Sequence, residues 1–138
     1  MGNYFRTILD KLVKGDHGRL ISIPFDREYG QAYQVMLNLW HRSPRPRGIF
    51  FTDDAVCDVA MRAISSLGLE IPTDLAIVTH ANVGREFHFP VQLSRIEFDP
   101  AQIAVEAWGL LSKLISGQSL ESNVVYVSPR FIPGRSLE

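Results

Sequence analysis

Apolar positions along the chain change their period several times, and each change marks an element. In residues 3–14, Phe5, Ile8, Leu9, Leu12 and Val13 recur at the spacing of one helical face. Gly15 follows as a left-handed C′ residue. The unbroken apolar run "LISIPF" at 20–25 predicts a short buried strand. Asp26 then caps a helix reaching about residue 41, with Tyr29, Ala32 or Tyr33, Met36, Leu37 and Trp40 turned inward. "SPRPRG" at 43–48 is a turn by composition, because its prolines stop the helix. "GIFF" at 48–51 predicts a second strand. A helix over 54–67 follows, presenting Val56, Val59, Ala60, Ala63 and Leu67. Gly68 offers a left-handed C′ position with Leu69 behind it as an apolar clamp, and Pro72 keeps the helix from resuming. "LAIV" at 75–78 predicts a third buried strand, 79–91 a loop holding Gly84 and Pro90, and the alternating "QLSRIEF" at 92–98 another strand. Asp99 and Pro100 form an N-cap and an N1 proline for a helix to residue 116, with Gly117 after it. "NVVYVSPRFI" at 123–132 closes the chain as a strand interrupted by Pro129.

Strands alternating with helices predict an α/β fold, a three-layer, doubly wound, mostly parallel sheet in one domain spanning 1–138. In such sheets ligands bind outside the carboxyl ends of the strands. That rule alone sets Phe25, Asp53, Asp54, Thr79, His80, Ala81 and Asn82 on one rim.

Composition changes this picture little. A net charge of −1 carries no electrostatic footprint for nucleic acid or a membrane surface. The lone Cys57 excludes an internal disulfide and fits a reducing compartment. The first fifteen residues are too polar for a secretory leader, and no apolar run approaches a membrane span, so a cytoplasmic chain is expected. The final Leu137 and Glu138 have the look of a cloning scar, which would make this a piece of a longer protein.

Two adjacent carboxylates, Asp53 and Asp54, stand where an apolar run ends. At least one of them is expected to cap the following helix, and a cap and a ligand contact are compatible. An enzyme reading sets Mg²⁺ among Asp53, Asp54 and Asp26, but a hard cation wants oxygen ligands from several strand ends. The strand end at 79–82 supplies no carboxylate, so no metal and no cofactor is expected. Among the histidines only His80 occupies a strand end. Cys57 reads as a small buried hydrophobe. No nucleophile elbow, dinucleotide fingerprint or P-loop spacing is present.

"GIFFTDDAVCDVAMRAISSLGLEIPTDLAIV" resembles the lactose-repressor (LacI/GalR) family of bacterial transcription regulators. "QLSRIEFDPAQIAVEAWGLLSKLISGQ", "VVYVSPRFIPGRS" and "PFDREYGQAYQVML" extend the resemblance over residues 20–136, in order and at family spacing. It implies the C-terminal part of an effector-binding domain with a periplasmic-binding-protein-like fold, in which two α/β subdomains clamp a small molecule. DNA would be read only through a separate N-terminal helix-turn-helix domain, which this sequence lacks. A periplasmic sugar-binding protein of the same fold is the alternative.

The resemblance also assigns residues. Asp53 falls where the family has a pocket asparagine and Asp54 on the adjacent aspartate. Phe25 falls on an aromatic position that stacks on a sugar face. The family's pocket arginine falls near Asn3 or Tyr4. Ala81 falls on an aspartate that binds sugar hydroxyls, in a turn that here reads Thr79, His80, Ala81, Asn82. Phe98 replaces a residue that is often polar. An alanine accepts none of the hydrogen bonds a carboxylate accepts, so an effector less polar than, or altered from, an ordinary sugar is expected. The helix over 99–117 would belong to the other subdomain. Its apolar set includes Ile103, Ala107, Trp108, Leu111, Leu114 and Ile115, an uncovered patch that monomers rarely tolerate. It is therefore expected to repack on its own sheet or against a second copy, with a swapped or intertwined homodimer as the leading picture.

Overall fold

The computed structural model describes residues 30–138. The helix expected over 3–14, the strand over 20–25, Phe25 and the cap at Asp26 lie outside the described residues. Seven elements follow one another: α1 (Gln31–Trp40), β1 (Gly48–Phe51), α2 (Asp54–Ser66), β2 (Ala76–Asn82), β3 (Ser94–Phe98), α3 (Pro100–Ile115) and β4 (Arg130–Ile132). The described strands form one sheet in the order β1-β2-β3-β4. The first three run parallel, and β4 pairs antiparallel with β3. This is the mostly parallel α/β architecture expected from the pattern.

The two helices packed on the sheet use small and flexible side chains to come close. α1 buries Ala32, Met36 and Leu39, with Tyr33, Leu37 and Trp40 packed at the margin of the core. It lies along α2, where the Tyr33 hydroxyl donates to Ser66 Oγ at 3.0 Å. The inward face of α2 is Cys57, Ala60, Met61, Ala63 and Ile64. That face is turned by one position from the expected one: Ala60 and Ala63 are shared, while Val56 and Val59 sit half-buried at its edge. Helical periodicity leaves such a rotation open where both sets are apolar. The helix ends as its glycine predicted. Gly68 adopts φ 67°, the Gly68 N–H donates to Ser65 at 3.0 Å and the Leu69 N–H to Ile64 at 3.2 Å. These two bonds make the Schellman end, with Leu69 packed against the core.

β2 is the axis of the core. Leu75 just before it, and Ile77, Thr79 and Ala81 within it, are all fully buried. The strand runs to Asn82, four residues past the expected end at 78, because polar Thr79 and Asn82 broke the apolar run that marked it. No helix connects β2 to the parallel β3. An irregular crossover, 83–93, does this, and it packs Phe87, Phe89 and Val91 against the core.

The C-terminal tail ties the amino ends of β2 and β3 together. Ser136 is fully buried. Its hydroxyl donates to the Ile77 carbonyl at 2.6 Å and accepts from the Ser94 N–H at 2.8 Å, while its own carbonyl accepts from the Ile77 N–H at 2.9 Å. Gly134 reaches the same place: a Cβ there would fall on the backbone of Gln92 and Leu93. Beside this knot, Glu97 is nearly buried and is matched by Arg95 Nε at 2.8 Å and Arg130 at 3.7 Å.

α3 begins as expected, with Asp99 Oδ1 accepting from Ala101 and Gln102. It buries no residue. Of the two expected ways for this helix to repack, the one onto its own sheet does not occur within the described chain. Among the described residues the segment 123–127 lines a groove with its Ile103, Ala107 and Leu110. That segment was expected to be strand, but ladder pairing is confined to Arg130–Ile132. A β-branched run forms a strand only where a neighbouring edge accepts it.

Replacing Ser136 by alanine leaves the buried Ser94 N–H without its acceptor, which costs about 1–3 kcal/mol. Urea titration of S136A is expected to show a lower midpoint with an unchanged slope. An unchanged midpoint would show that the tail does not hold the strands.

Candidate functional site

The carboxyl ends of β1, β2 and β3 lie side by side, and the candidate site residues hang on them. Phe51 pairs with Thr79, and Asn82 with Phe98. Asp53 follows two residues beyond Phe51, past the last β1–β2 pair.

Asp53 leaves the strand in extended backbone, φ −148° and ψ 129°, and caps α2. Its Oδ1 accepts from the Ala55 N–H at 2.9 Å and the Val56 N–H at 3.0 Å. The N-cap is thus Asp53, and Asp54, read from the sequence as the helix-start residue, opens the helix one position later. In that first turn its charge suits the positive end of the helix dipole.

Asp54 has a second partner that the sequence reading did not single out. Arg85 brings its Nε to 3.6 Å from Asp54 and also pairs with Asp58, one turn further along α2. Its guanidinium lies over the Phe87 ring, 5.6 Å from the centroid. The chain reaches this position through a turn in which Gly84 has φ 84° and the Arg85 N–H donates to Asn82 at 3.0 Å. Gly84 was the visible signal. That its neighbour would fold back onto two carboxylates, twenty-seven and thirty-one positions earlier, had no local signature.

Strand alternation sorts the remaining candidates. Ala81 faces the α2 side and is fully buried. His80 and Asn82 point to the opposite face with Phe98, and the His80 and Phe98 rings meet at 4.9 Å between centroids, tilted by 39°. The structure thus brings together His80, Asn82 and Phe98 on one face, sets Asp53 and Asp54 at the adjacent helix start, and turns Ala81 into the core. Among the described residues no three His, Cys, Asp or Glu side chains gather as metal ligands. Asp26, the third carboxylate of the Mg²⁺ reading, lies outside them. Cys57 is fully buried behind the rim, and burial pushes its thiol up to about 12 from an ordinary 9.0, which leaves it inert as a nucleophile.

The sequence profile of the periplasmic binding protein-like domain family matches residues 4–137, nearly the whole chain. The chain belongs to that family. Its relatives include the HTH-type transcriptional repressor PurR of Salmonella arizonae, 24% identical over 137 residues, which are 99% of this chain and 40% of the relative. The repressor of the same name from Escherichia coli is 23% identical over the same length, again covering 40% of it. The chain therefore spans about two-fifths of the length of these curated relatives. Among solved structures it is similar to a LacI family transcriptional regulator from Bifidobacterium animalis subsp. lactis, with a TM-score of 0.80 at 21% identity over 99% of this chain and 48% of that one. It is also similar to an Arthrobacter LacI family regulator in complex with lactose, with a TM-score of 0.79 at 21% identity over 99% of this chain and 50% of that one. At such identity these likenesses show the fold, and the family resemblance read from the motifs holds.

The cap geometry makes a clean expectation. Asparagine and aspartate cap equally well, whereas alanine loses about 0.5–2 kcal/mol. Chemical denaturation should find D53N as stable as the parent chain and D53A weaker by that amount; equal loss in both would mean that the charge, and not the cap, holds α2.

Proposed function

We propose that this chain is an effector-binding lobe of a LacI/GalR-type transcription regulator. It receives a small molecule at the carboxyl ends of β1, β2 and β3 and passes the binding event to a DNA-binding domain outside this sequence. The observation that carries the reading is the family match over residues 4–137 together with the strand-end rim, since open α/β sheets bind ligands there. Relatives named as transcriptional repressors support it. In this reading the protein is a cytoplasmic sensor and does no chemistry. Asp53, Asp54, His80, Asn82 and Phe98 line the ligand side, Phe25 is assigned to it by the family resemblance alone, and Ala81 leaves room without offering an acceptor. One Arthrobacter relative by fold is described with lactose, which supports a sugar-sized effector. The aromatic His80–Phe98 pair and the missing carboxylate at Ala81 favour one that departs from a plain hexose.

α3 carries the proposed interface. Trp108 is 64% exposed, Leu111 48%, Leu114 56% and Ile115 71%. Covering Trp108 and the three aliphatic side chains is worth several kcal/mol, at about 1.5–3 kcal/mol for each fully buried aliphatic residue. In the whole protein this helix belongs to the second lobe. In the chain by itself a second copy covers it, giving a homodimer.

Two measurements test this reading. In the protein extended to its full coding sequence, an upstream helix-turn-helix and ligand-dependent retention of operator DNA in a gel are expected; a transport or enzyme domain upstream would end the proposal. The chain alone is expected to scatter light as a dimer at micromolar concentration and as a smaller species after Leu111→Glu, whereas a monodisperse monomer in the parent chain would reject the interface.

A further inference from the structure

The turn between α1 and β1 carries a charge that the fold leaves unmatched. Arg42, Arg45 and Arg47 stand in "HRSPRPRG", and no aspartate or glutamate occurs from residue 29 to residue 52. The chain as a whole has a net charge of −1, so its remainder is acidic. All three arginines are exposed. Among the described residues the ion-paired cations are Arg85, Arg95 and Arg130, and none of the three is among them. Acids are at hand on the loop that enters β2, where Glu70 and Asp74 lie. Asp74 Oδ2 instead accepts from the Glu70 N–H at 2.9 Å, and neither carboxylate pairs with a guanidinium.

The backbone under these side chains is anchored at both ends. The His41 and Arg42 N–H groups donate to the Leu37 and Leu39 carbonyls at 3.2 Å, which closes α1. The Arg47 carbonyl accepts from the Ala76 N–H at 3.0 Å, which fastens the turn to the start of β2. Pro44 and Pro46 fix two φ angles in between. The Arg45 guanidinium lies over the Trp40 ring, 5.0 Å from its centroid, and Trp40 packs against the core. A guanidinium stacked by its face on an indole still has the N–H donors of its edge to offer. The turn precedes β1, so it lies at the amino end of the parallel strands, away from the carboxyl ends that the effector reading uses.

We propose that the turn 41–47 docks an acidic segment of another protein, whose carboxylates pair with Arg42, Arg45 and Arg47. A guanidinium fork holds a carboxylate through two parallel N–H bonds, and such charge-assisted bonds are about twice as strong as neutral ones. Three forks on one anchored turn suit a short run of aspartates or glutamates. A nucleic acid fits less well. It is held by a basic face larger than one turn, and the acidic remainder of a chain with a pI of about 6.4 repels a long polyanion. The proposal concerns the opposite end of the sheet from the effector site and does not depend on that reading.

Fluorescence anisotropy with labelled peptides tests this on the whole chain. A glutamate-rich peptide is expected to bind about tenfold or more tightly than its all-glutamine counterpart, the increment of hydrogen bonds to charged groups. The preference should shrink as salt is raised. The triple variant R42Q/R45Q/R47Q should lose it at an unchanged melting temperature, because exposed side chains away from packing contribute little to stability. R42Q/R47Q keeps the Arg45–Trp40 contact and should lose most of it. R62Q removes an exposed arginine from α2 and should keep it. Equal binding of the two peptides, a preference that survives the triple or the double variant, or its equal loss in R62Q overturns the proposal. A thymidine oligonucleotide of the same charge that binds more tightly than the glutamate peptide also overturns it, in favour of a nucleic-acid contact.

Discussion

Everything at the rim depends on a hydroxyl at the opposite end of the sheet. Ser136 bonds to Ile77 on β2 and to Ser94 on β3, and so fixes how far one strand is advanced along the other. In a sheet the side-chain period is two, so a slip of one residue would turn every side chain to the other face. The slip would move His80 and Phe98 into the core and expose Thr79 and Ala81. A residue at the chain's end thus sets which side chains a ligand meets, although it lies far from any of them. Its full burial and the lack of room for a Cβ at Gly134 leave this setting no slack.

Much of the architecture was legible in the sequence because its signals are local. The Gly68 helix end, the Asp99–Pro100 start and the "GIFF" strand are each decided within a few residues, and each is where the pattern set it. The strand at 75–78 was read too short because Thr79 and Asn82 are polar, yet the ladder to β3 carries them. The face of α2 was read one position off because Val56 and Cys57 are both acceptable core residues, and only the shape of β2 chooses between them. Of the site, the pair at Asp53 and Asp54 was visible as a strand end followed by a helix start. Which of them caps was not, since that depends on where the backbone leaves the extended region. Arg85 and Ser136 were invisible as partners, because each acts on residues tens of positions away. The strand expected at 123–132 formed only over Arg130–Ile132 for a related reason: the β-forming run before it has no edge to join in the described chain.

Asp53 uses one carboxylate oxygen, Oδ1, to hold the first turn of α2. Folding needs only an acceptor there, which asparagine supplies as well.

α3 leaves the sheet after Phe98 and the chain returns at Arg130, which pairs with Glu97. The outgoing and returning segments are thus neighbours at the same edge, and each carries a proline, Pro100 on the way out and Pro129 on the way back. A body held by two adjacent stiffened tethers has little freedom to swivel about either one, because the other resists torsion. The motion left to it is a tilt about the line joining the two attachment points. That line runs beside Phe98, the last residue of β3.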